Sequence, residues 1–148
     1  MIIADIMKPA TVRIGMDETL ETVRALFQEY RFHHLLVTER NKLVGVISDR
    51  DLLKHISPFI NKMAERPQDL ATLQKRAHQV MTRNLVTTTR EEAVEDAGRR
   101  MLEARVSCLP VVDDQQRPVG FVSWRDLLGA LCRRAARGAR ADGVASAA

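Results

Sequence analysis

The sequence predicts an α+β fold in which one structural unit occurs twice. The decapeptide VGVISDRDLL at residues 44–53 returns as VGFVSWRDLL at residues 119–128, with seven of the ten positions identical. The similarity extends towards the N-terminal side of each copy, where residues 6–27 align with residues 80–101. Repetition of this kind indicates two copies of one supersecondary unit that bury their apolar faces together.

Composition supports a compact globular chain. Of the 148 residues, 45% are hydrophobic and 28% are charged, which is typical of soluble domains. No apolar run approaches the roughly 20 residues of a membrane-spanning helix, and the N-terminus has no signal-peptide pattern. The only cysteines are Cys108 and Cys132, so we expect reduced thiols and a cytoplasmic location.

Each unit opens with a short strand followed by an amphipathic helix. Alternating apolar residues predict the strand around Val12 in the first unit and, less clearly, around Leu85 in the second. Asp17 is the expected N-cap of the first helix, and Thr89 and Glu92 have capping-box spacing before the second. The apolar stripes of the two helices are Leu20, Val23, Phe27 and Tyr30, and Val94, Ala97 and Met101.

A hairpin and a second helix complete each unit. Short β-branched runs at residues 34–39 and 43–48, and at 108–113 and 118–123, flank tight polar turns and predict paired strands. The second helix starts near Asp49 in one copy and near Trp124 in the other. The predicted order is β-α-β-β-α twice, with the two repeats packed sheet to sheet in pseudo-twofold symmetry.

These elements divide the chain into four regions. Residues 1–57 form repeat 1, residues 58–79 form a linker with helical segments, and residues 80–132 form repeat 2. Residues 133–148 form a basic Ala/Gly-rich tail, predicted to be disordered, that carries Arg133, Arg134, Arg137 and Arg140. Such a tail can contact nucleic acid, although a solvated helix end is the more ordinary interpretation.

The repeated phrase has the chemistry needed to bind a nucleotide. Asp51 and Asp126 can accept both hydroxyls of a ribose diol in a charge-assisted contact. Ser48, Arg50, Ser123 and Arg125 offer donors and positive charge to phosphates at a helix start. Gly45 and Gly120 permit close backbone approach within a strand. An apolar slot for a purine is expected from Val12, Leu35, Val86, Leu109 and Pro110.

A structural interpretation of the same residues is also open. Ser48 and Ser123 can cap the following helix, with Asp51 and Asp126 as acids of its first turn. The two copies also differ: Asp49 stands where the second copy has Trp124, and His33 and His34 stand where it has Ser107 and Cys108. An acid repels phosphate, so the second copy is expected to be the better site and the first to be altered or weaker.

Residues 2–132 resemble the tandem cystathionine-β-synthase-type (CBS) domain pair, or Bateman module. The resemblance rests on the paired Met7 and Met81, the hairpin VSCLPVVD and the doubled Gly-apolar-apolar-Ser-x-Arg-Asp phrase. It implies binding of adenosine-containing ligands: AMP, ADP or ATP, and in some members S-adenosylmethionine or NAD. It also implies a homodimer that passes the ligand state to an effector protein.

We therefore predict a stand-alone regulatory module, not an enzyme, with no required cofactor and no metal site. The ligand is expected in the cleft between the repeats. The candidate ligand residues are Leu85, Val86, Ser107, Cys108, Pro110, Ser123, Trp124, Arg125 and Asp126 for repeat 2, and Val12, His33, His34, Ser48, Arg50 and Asp51 for repeat 1. The alternatives are a ligand-free dimerisation module for a protein partner and a nucleic-acid binder that uses the arginine tail.

Overall fold

A computed structural model describes residues 1–145, with side chains as far as Arg137. Its strands are β1 (Lys8–Pro9), β2 (Arg13–Gly15), β3 (His34–Glu39), β4 (Lys42–Ser48), β5 (Cys108–Val112) and β6 (Pro118–Ser123). Its α-helices are α1 (Leu20–Glu29), α2 (Asp49–His55), α3 (Pro67–Ala71), α4 (Ala77–Val80), α5 (Val94–Ala104) and α6 (Trp124–Ala145). The predicted α+β class is confirmed.

The chain divides into two compact units that do not follow the sequence order. The first-repeat unit contains Ala10–Leu85 and Asp114–Pro118. The second-repeat unit contains Met1–Pro9, Val86–Asp113 and the chain from Val119 onward. Each unit has its own buried apolar core, and each core includes residues from the opening segment of the other repeat.

In the first-repeat unit, a three-stranded sheet has the order β2-β3-β4, with β2 parallel and β4 antiparallel to β3. The β3–β4 hairpin turns through Arg40 and Asn41, whose φ angles of 46° and 65° match a type I′ turn. Leu20 and Val23 of α1 are buried against this sheet. Helix α4 then adds Ala77 and Val80 to the same core.

In the second-repeat unit, the sheet order is β1-β6-β5, and β1 pairs antiparallel with β6. The strand predicted around Leu85 is reduced to one parallel bridge between Thr88 and Val111. There Thr88 donates to the Pro110 carbonyl and accepts from Val112. Pro110 has no N–H to continue this ladder towards Val86, which explains the loss of the strand.

Two predicted helix starts are wrong. Helix α1 is capped by Thr19, whose hydroxyl accepts from the Thr22 N–H, and not by Asp17. Helix α5 begins at Val94 rather than after Thr89, because the Glu92 carboxylate is held by the Thr88 hydroxyl at 2.5 Å. Tyr30, predicted in the apolar stripe, follows the end of α1, is exposed and stacks on Phe32.

The C-terminal helix is longer than the sequence suggests. Helix α6 continues to Ala145 through much of the segment predicted as a disordered tail, which is consistent with the high helix propensity of alanine and arginine. Arg134 on α6 forms an ion pair with Glu95 on α5. The Arg140 side chain and residues 146–148 lie outside the described residues.

No helix in the described range is long and apolar enough to cross a bilayer.

A methionine from each opening segment packs over the strand glycine of the other repeat. Met7 approaches Gly120 of β6, and Met81 approaches Gly45 of β4. Backbone pairing accompanies both contacts, since Pro9 pairs with Gly120 and Thr82 bridges to Val46. The opening segment of repeat 1 therefore supplies a strand to the second-repeat sheet, and that of repeat 2 adds one bridge to the edge of the first-repeat sheet.

Candidate functional site

The second-repeat unit has a polar corner where β6 runs into α6. The backbone N–H and the hydroxyl of Ser123 both donate to Asp126 Oδ2, at 2.9 and 2.5 Å. The Asp126 N–H donates back to Ser123 Oγ at 3.4 Å. Ser123 and Asp126 thus form a reciprocal capping box at the start of α6.

The second oxygen of Asp126 pairs with a residue from the N-terminus. Lys8 Nζ on β1 lies 3.1 Å from Asp126 Oδ1; the Lys8 side chain is 59% exposed and that of Asp126 only 14%. Burial alone would raise the pKa of Asp126, but the hydrogen bonds from Ser123 and Lys8 outweigh it and hold this pKa below its ordinary value. Asp126 is therefore an ionised acceptor at neutral pH.

Aromatic and basic groups flank this corner. The backbone N–H of Trp124 donates to the Ser107 carbonyl at 3.1 Å, which connects the start of α6 to the residue before β5. The Arg125 guanidinium carbon lies 4.7 Å from the centre of the exposed Trp124 ring, within cation–π range. Neighbouring Cys108 is buried, and burial, with the Asp126 charge, raises the pKa of its thiol to about 12.

The first-repeat unit has an equivalent corner between β4 and α2. The N–H and hydroxyl of Ser48 donate to Asp51 Oδ2 at 2.9 and 2.8 Å, and the Asp51 N–H donates to Ser48 Oγ at 3.1 Å. The Asp49 N–H donates to the His33 carbonyl, as that of Trp124 does to Ser107. The backbone frames of the two corners are therefore the same.

The side chains at the first corner differ in charge. His33 Nδ1 donates to Asp49 Oδ2 at 2.8 Å, and the Arg50 N–H donates to Asp49 Oδ1 at 2.8 Å. Partial burial would raise the pKa of Asp49, but these hydrogen bonds hold it below its ordinary value. Burial lowers the pKa of the adjacent His34. A carboxylate thus stands where the second corner has an indole.

The capping boxes restrict what the predicted ligand residues can do. Each serine hydroxyl already donates its single proton to an aspartate, so Ser48 and Ser123 do not offer that proton to a phosphate while the boxes are intact. Oδ2 of each aspartate already accepts two hydrogen bonds. A ribose hydroxyl would therefore meet Oδ1 of Asp51 or Asp126 rather than both oxygens.

The predicted apolar slot is only partly available. Leu35 and Leu109 have no exposed surface and belong to the cores, so their assignment to a ligand slot is wrong. Pro110 is also buried. Val12 and Val86 are half-buried and pack at the margins of the cores of their own units. Leu85 belongs to the first-repeat unit, unlike the other candidates assigned to repeat 2.

Two further features were not found from the sequence. Lys8 was not among the candidate residues, although its contact with Asp126 places it at the second corner. Gly45 and Gly120 lie against methionine side chains, and Gly120 also lies against the Lys8 carbonyl. These close contacts explain why both positions are glycine, and no ligand is needed to explain them.

In the described part of the chain no three His, Cys, Asp or Glu side chains form a group able to hold a metal ion.

Both repeats match the model of a known protein family. A model of the CBS domain matches residues 3–58 and again residues 77–133. The chain belongs to the CBS domain family. The resemblance inferred from the repeated phrase is confirmed, with one CBS match on each repeat.

Relatives contain this CBS pair alone or as a part of larger proteins. A CBS domain-containing protein of Dictyostelium discoideum is 30% identical over 135 residues, covering 90% of this chain and 92% of that protein. The homoserine O-acetyltransferase of Methanohalobium evestigatum is 30% identical over 80% of this chain. This chain spans only 21% of that enzyme's length, so the similarity concerns one region of it.

Solved CBS structures share the fold over nearly the whole chain. The CBS domain pair of protein MJ0100, in complex with 5′-methylthioadenosine and S-adenosyl-L-methionine, has a TM-score of 0.72 at 26% identity and covers 90% of this chain and 98% of that one. CBSX2 in complex with AMP has a TM-score of 0.73 at 27% identity and covers 89% of this chain and 96% of that one. Both of these relatives hold adenosine-containing ligands.

Proposed function

We propose that this CBS pair is a regulatory module that binds an adenosine-containing ligand at its strand-to-helix corners. The observation that carries the proposal is the ionised Asp126 at the start of α6, with one oxygen in the capping box and the other paired with the exposed ammonium of Lys8. An ionised carboxylate oxygen is a strong acceptor for a ribose hydroxyl. The complexes of related CBS proteins with AMP, 5′-methylthioadenosine and S-adenosyl-L-methionine support the adenosine class of ligand.

The ligand acts by favouring one conformational state over another. A ligand can shift such an equilibrium only by the difference in its affinity for the two states. The state is then read by a protein partner or by a second copy of the chain. Nothing in this scheme requires the CBS pair to perform catalysis itself.

Exposed apolar residues on α6 support association with a second copy. Trp124, Leu128 and Leu131 are spaced to lie on one face of the helix, and they are 44%, 50% and 40% exposed. Leu53, the repeat equivalent of Leu128, is also exposed at 71%. We expect analytical ultracentrifugation to show a dimer of the wild-type protein and weaker dimerisation of a Leu128→Ser/Leu131→Ser double variant. A wild-type protein that sediments as a monomer would remove dimerisation from the proposal.

Calorimetry against AMP, ATP, S-adenosylmethionine, 5′-methylthioadenosine and GTP tests the proposed ligand class. We expect adenosine compounds to bind and GTP not to bind. The Asp126→Asn variant keeps the size and the capping acceptor but loses the charge, and we expect its affinity to fall at least tenfold, by about 1.4 kcal/mol or more. Asp114→Ala, at an exposed acid in the connection between β5 and β6, is the matched control.

The outcome separates this proposal from its alternatives. Unchanged affinity in Asp126→Asn would show that the ligand residues are assigned incorrectly. Absence of binding by every compound would favour a structural role in which Ser123 and Asp126 only cap α6.

A further inference from the structure

The two corners share a backbone frame but differ in their fixed charges. Around the second corner stand the cations Lys8 and Arg125 and one carboxylate, Asp126. Around the first corner stand one permanent cation, Arg50, two carboxylates, Asp49 and Asp51, and the His33 imidazole, which donates to Asp49. In the alignment of the two repeats, Lys8 corresponds to Thr82, a neutral residue that lies in the first-repeat unit. The two sites therefore present opposite charge balances to a ligand.

The first-turn N–H groups of the helices also differ. At the first corner the Arg50 N–H donates to the Asp49 carboxylate at 2.8 Å. At the second corner the equivalent N–H belongs to Arg125, and no acceptor contacts it among the described residues. A helix N-terminus with an open N–H attracts anions, whereas one already occupied by a carboxylate repels them.

Lys8 adds a competition that depends on the ligand. A ribose hydroxyl at Asp126 Oδ1 must share or displace the Lys8 ammonium that lies 3.1 Å away. Because the Lys8 side chain is 59% exposed, its ammonium can move within the reach of its flexible stem. A phosphate on the ligand would give the displaced ammonium a new partner, while an unphosphorylated nucleoside would leave it unpaired.

From these observations, and resting on the proposed function, we infer that the second-repeat corner selects phosphorylated adenosine ligands through Lys8, whereas Asp49 makes the first-repeat corner select unphosphorylated ones. Lys8 is thus a specificity-determining residue supplied by β1, far in sequence from the phrase that contains Asp126. The two sites of one chain would then sense different chemical forms of adenosine.

Trp124 provides a direct readout of the second corner because it is the single tryptophan of the chain. Titrations of its fluorescence with AMP and with adenosine give the two affinities at this site. We expect the wild-type protein to bind AMP more tightly. In Lys8→Met, which keeps the length of the stem without its charge, we expect the ratio of AMP to adenosine affinity to fall roughly five- to tenfold.

Lys62→Met, at an exposed lysine of the first-repeat unit, is the matched control and should leave the ratio unchanged. Urea unfolding of each variant establishes that the fold is kept. An unchanged ratio in Lys8→Met would overturn the role of Lys8 while leaving nucleotide binding intact. Absence of both AMP and adenosine binding in the wild type would also overturn the inference, and the proposed function itself would be refuted if ATP, S-adenosylmethionine and 5′-methylthioadenosine did not bind either. Calorimetric AMP binding that leaves Trp124 fluorescence unchanged would also overturn the inference, since the ligand would lie elsewhere.

The first corner is tested by Asp49→Ala, which removes the acid and releases the Arg50 N–H. We expect calorimetry to show one AMP per wild-type chain and a second AMP in this variant. Glu29→Ala, an exposed acid in the same unit, is the control. An unchanged stoichiometry and affinity in Asp49→Ala would overturn the role assigned to Asp49.

Discussion

Replacing Gly120 by alanine should destabilise the second-repeat unit by separating β1 from β6. A Cβ atom built on Gly120 would lie 2.6 Å from the Lys8 carbonyl oxygen and 3.1 Å from Met7 Sδ. The nearer obstacle is backbone, which cannot rotate away. Overpacking of this kind costs about 1–3 kcal/mol, and we expect the upper part of that range because the Lys8–Phe121 and Pro9–Gly120 pairs must shift together.

Urea unfolding followed by circular dichroism and by Trp124 fluorescence measures this loss. Gly45→Ala is the informative comparison, because its Cβ would meet the Met81 side chain, with Sδ at 2.3 Å. A flexible thioether can rearrange, so we expect a smaller loss there. Gly98→Ala in α5 is the control: apart from the neighbouring backbone of its own helix, no heavy atom lies within 4 Å of the added Cβ, and the change should stabilise the protein by about 0.5–1 kcal/mol.

The reasoning would be refuted if Gly120→Ala unfolded at the same urea concentration as the wild type. It would also fail if Gly45→Ala were the more damaging change, since backbone and side-chain obstacles would then not differ as argued.

Two titratable groups give further predictions. Because burial lowers the pKa of His34 below 6.5, the unfolded chain binds the proton first as the pH falls. Stability should therefore decrease below about pH 6.5, and urea midpoints at pH 7.5 and 5.5 should differ less in His34→Gln; equal differences would contradict this. Cys132 is exposed, whereas Cys108 is buried with a pKa of about 12. A thiol reagent should modify Cys132 in the native protein and Cys108 only after unfolding, and two fast thiols in the native state would contradict this.

The parts of the fold that depend on local patterns were predictable. The hairpin through Arg40 and Asn41 and the Ser-x-x-Asp boxes each depend on residues close together in sequence. The helix starts were less accessible, because Asp17 and Thr89 are reasonable caps whose side chains are not used as N-caps in the structure. Thr19 caps α1 in place of Asp17, and Glu92 is held by Thr88 before α5 begins.

The site was predictable in its repeated part and not in its surroundings. Asp126 could be singled out because the phrase occurs twice, but Lys8 reaches it only through the pairing of β1 with β6. The buried positions of Leu35 and Leu109 likewise depend on tertiary packing. An apolar strand residue can face either a ligand or the core, and its own sequence does not distinguish the two.

The crossed opening segments mean that the piece duplicated in the sequence is not the piece that folds. A fragment cut anywhere between residues 58 and 76 would leave β1 on one product and β6 on the other, and would part Met81 from Gly45 in the same way. The C-terminal product would carry β5 and β6 without β1, while the N-terminal product would keep β2, β3 and β4 but lose the bridge from Thr82 to Val46. The same contacts link the evolution of the two repeats. A larger side chain at Met7 would clash with Gly120 of the second repeat, and one at Met81 would clash with Gly45 of the first. A substitution in one repeat therefore affects the packing of the other.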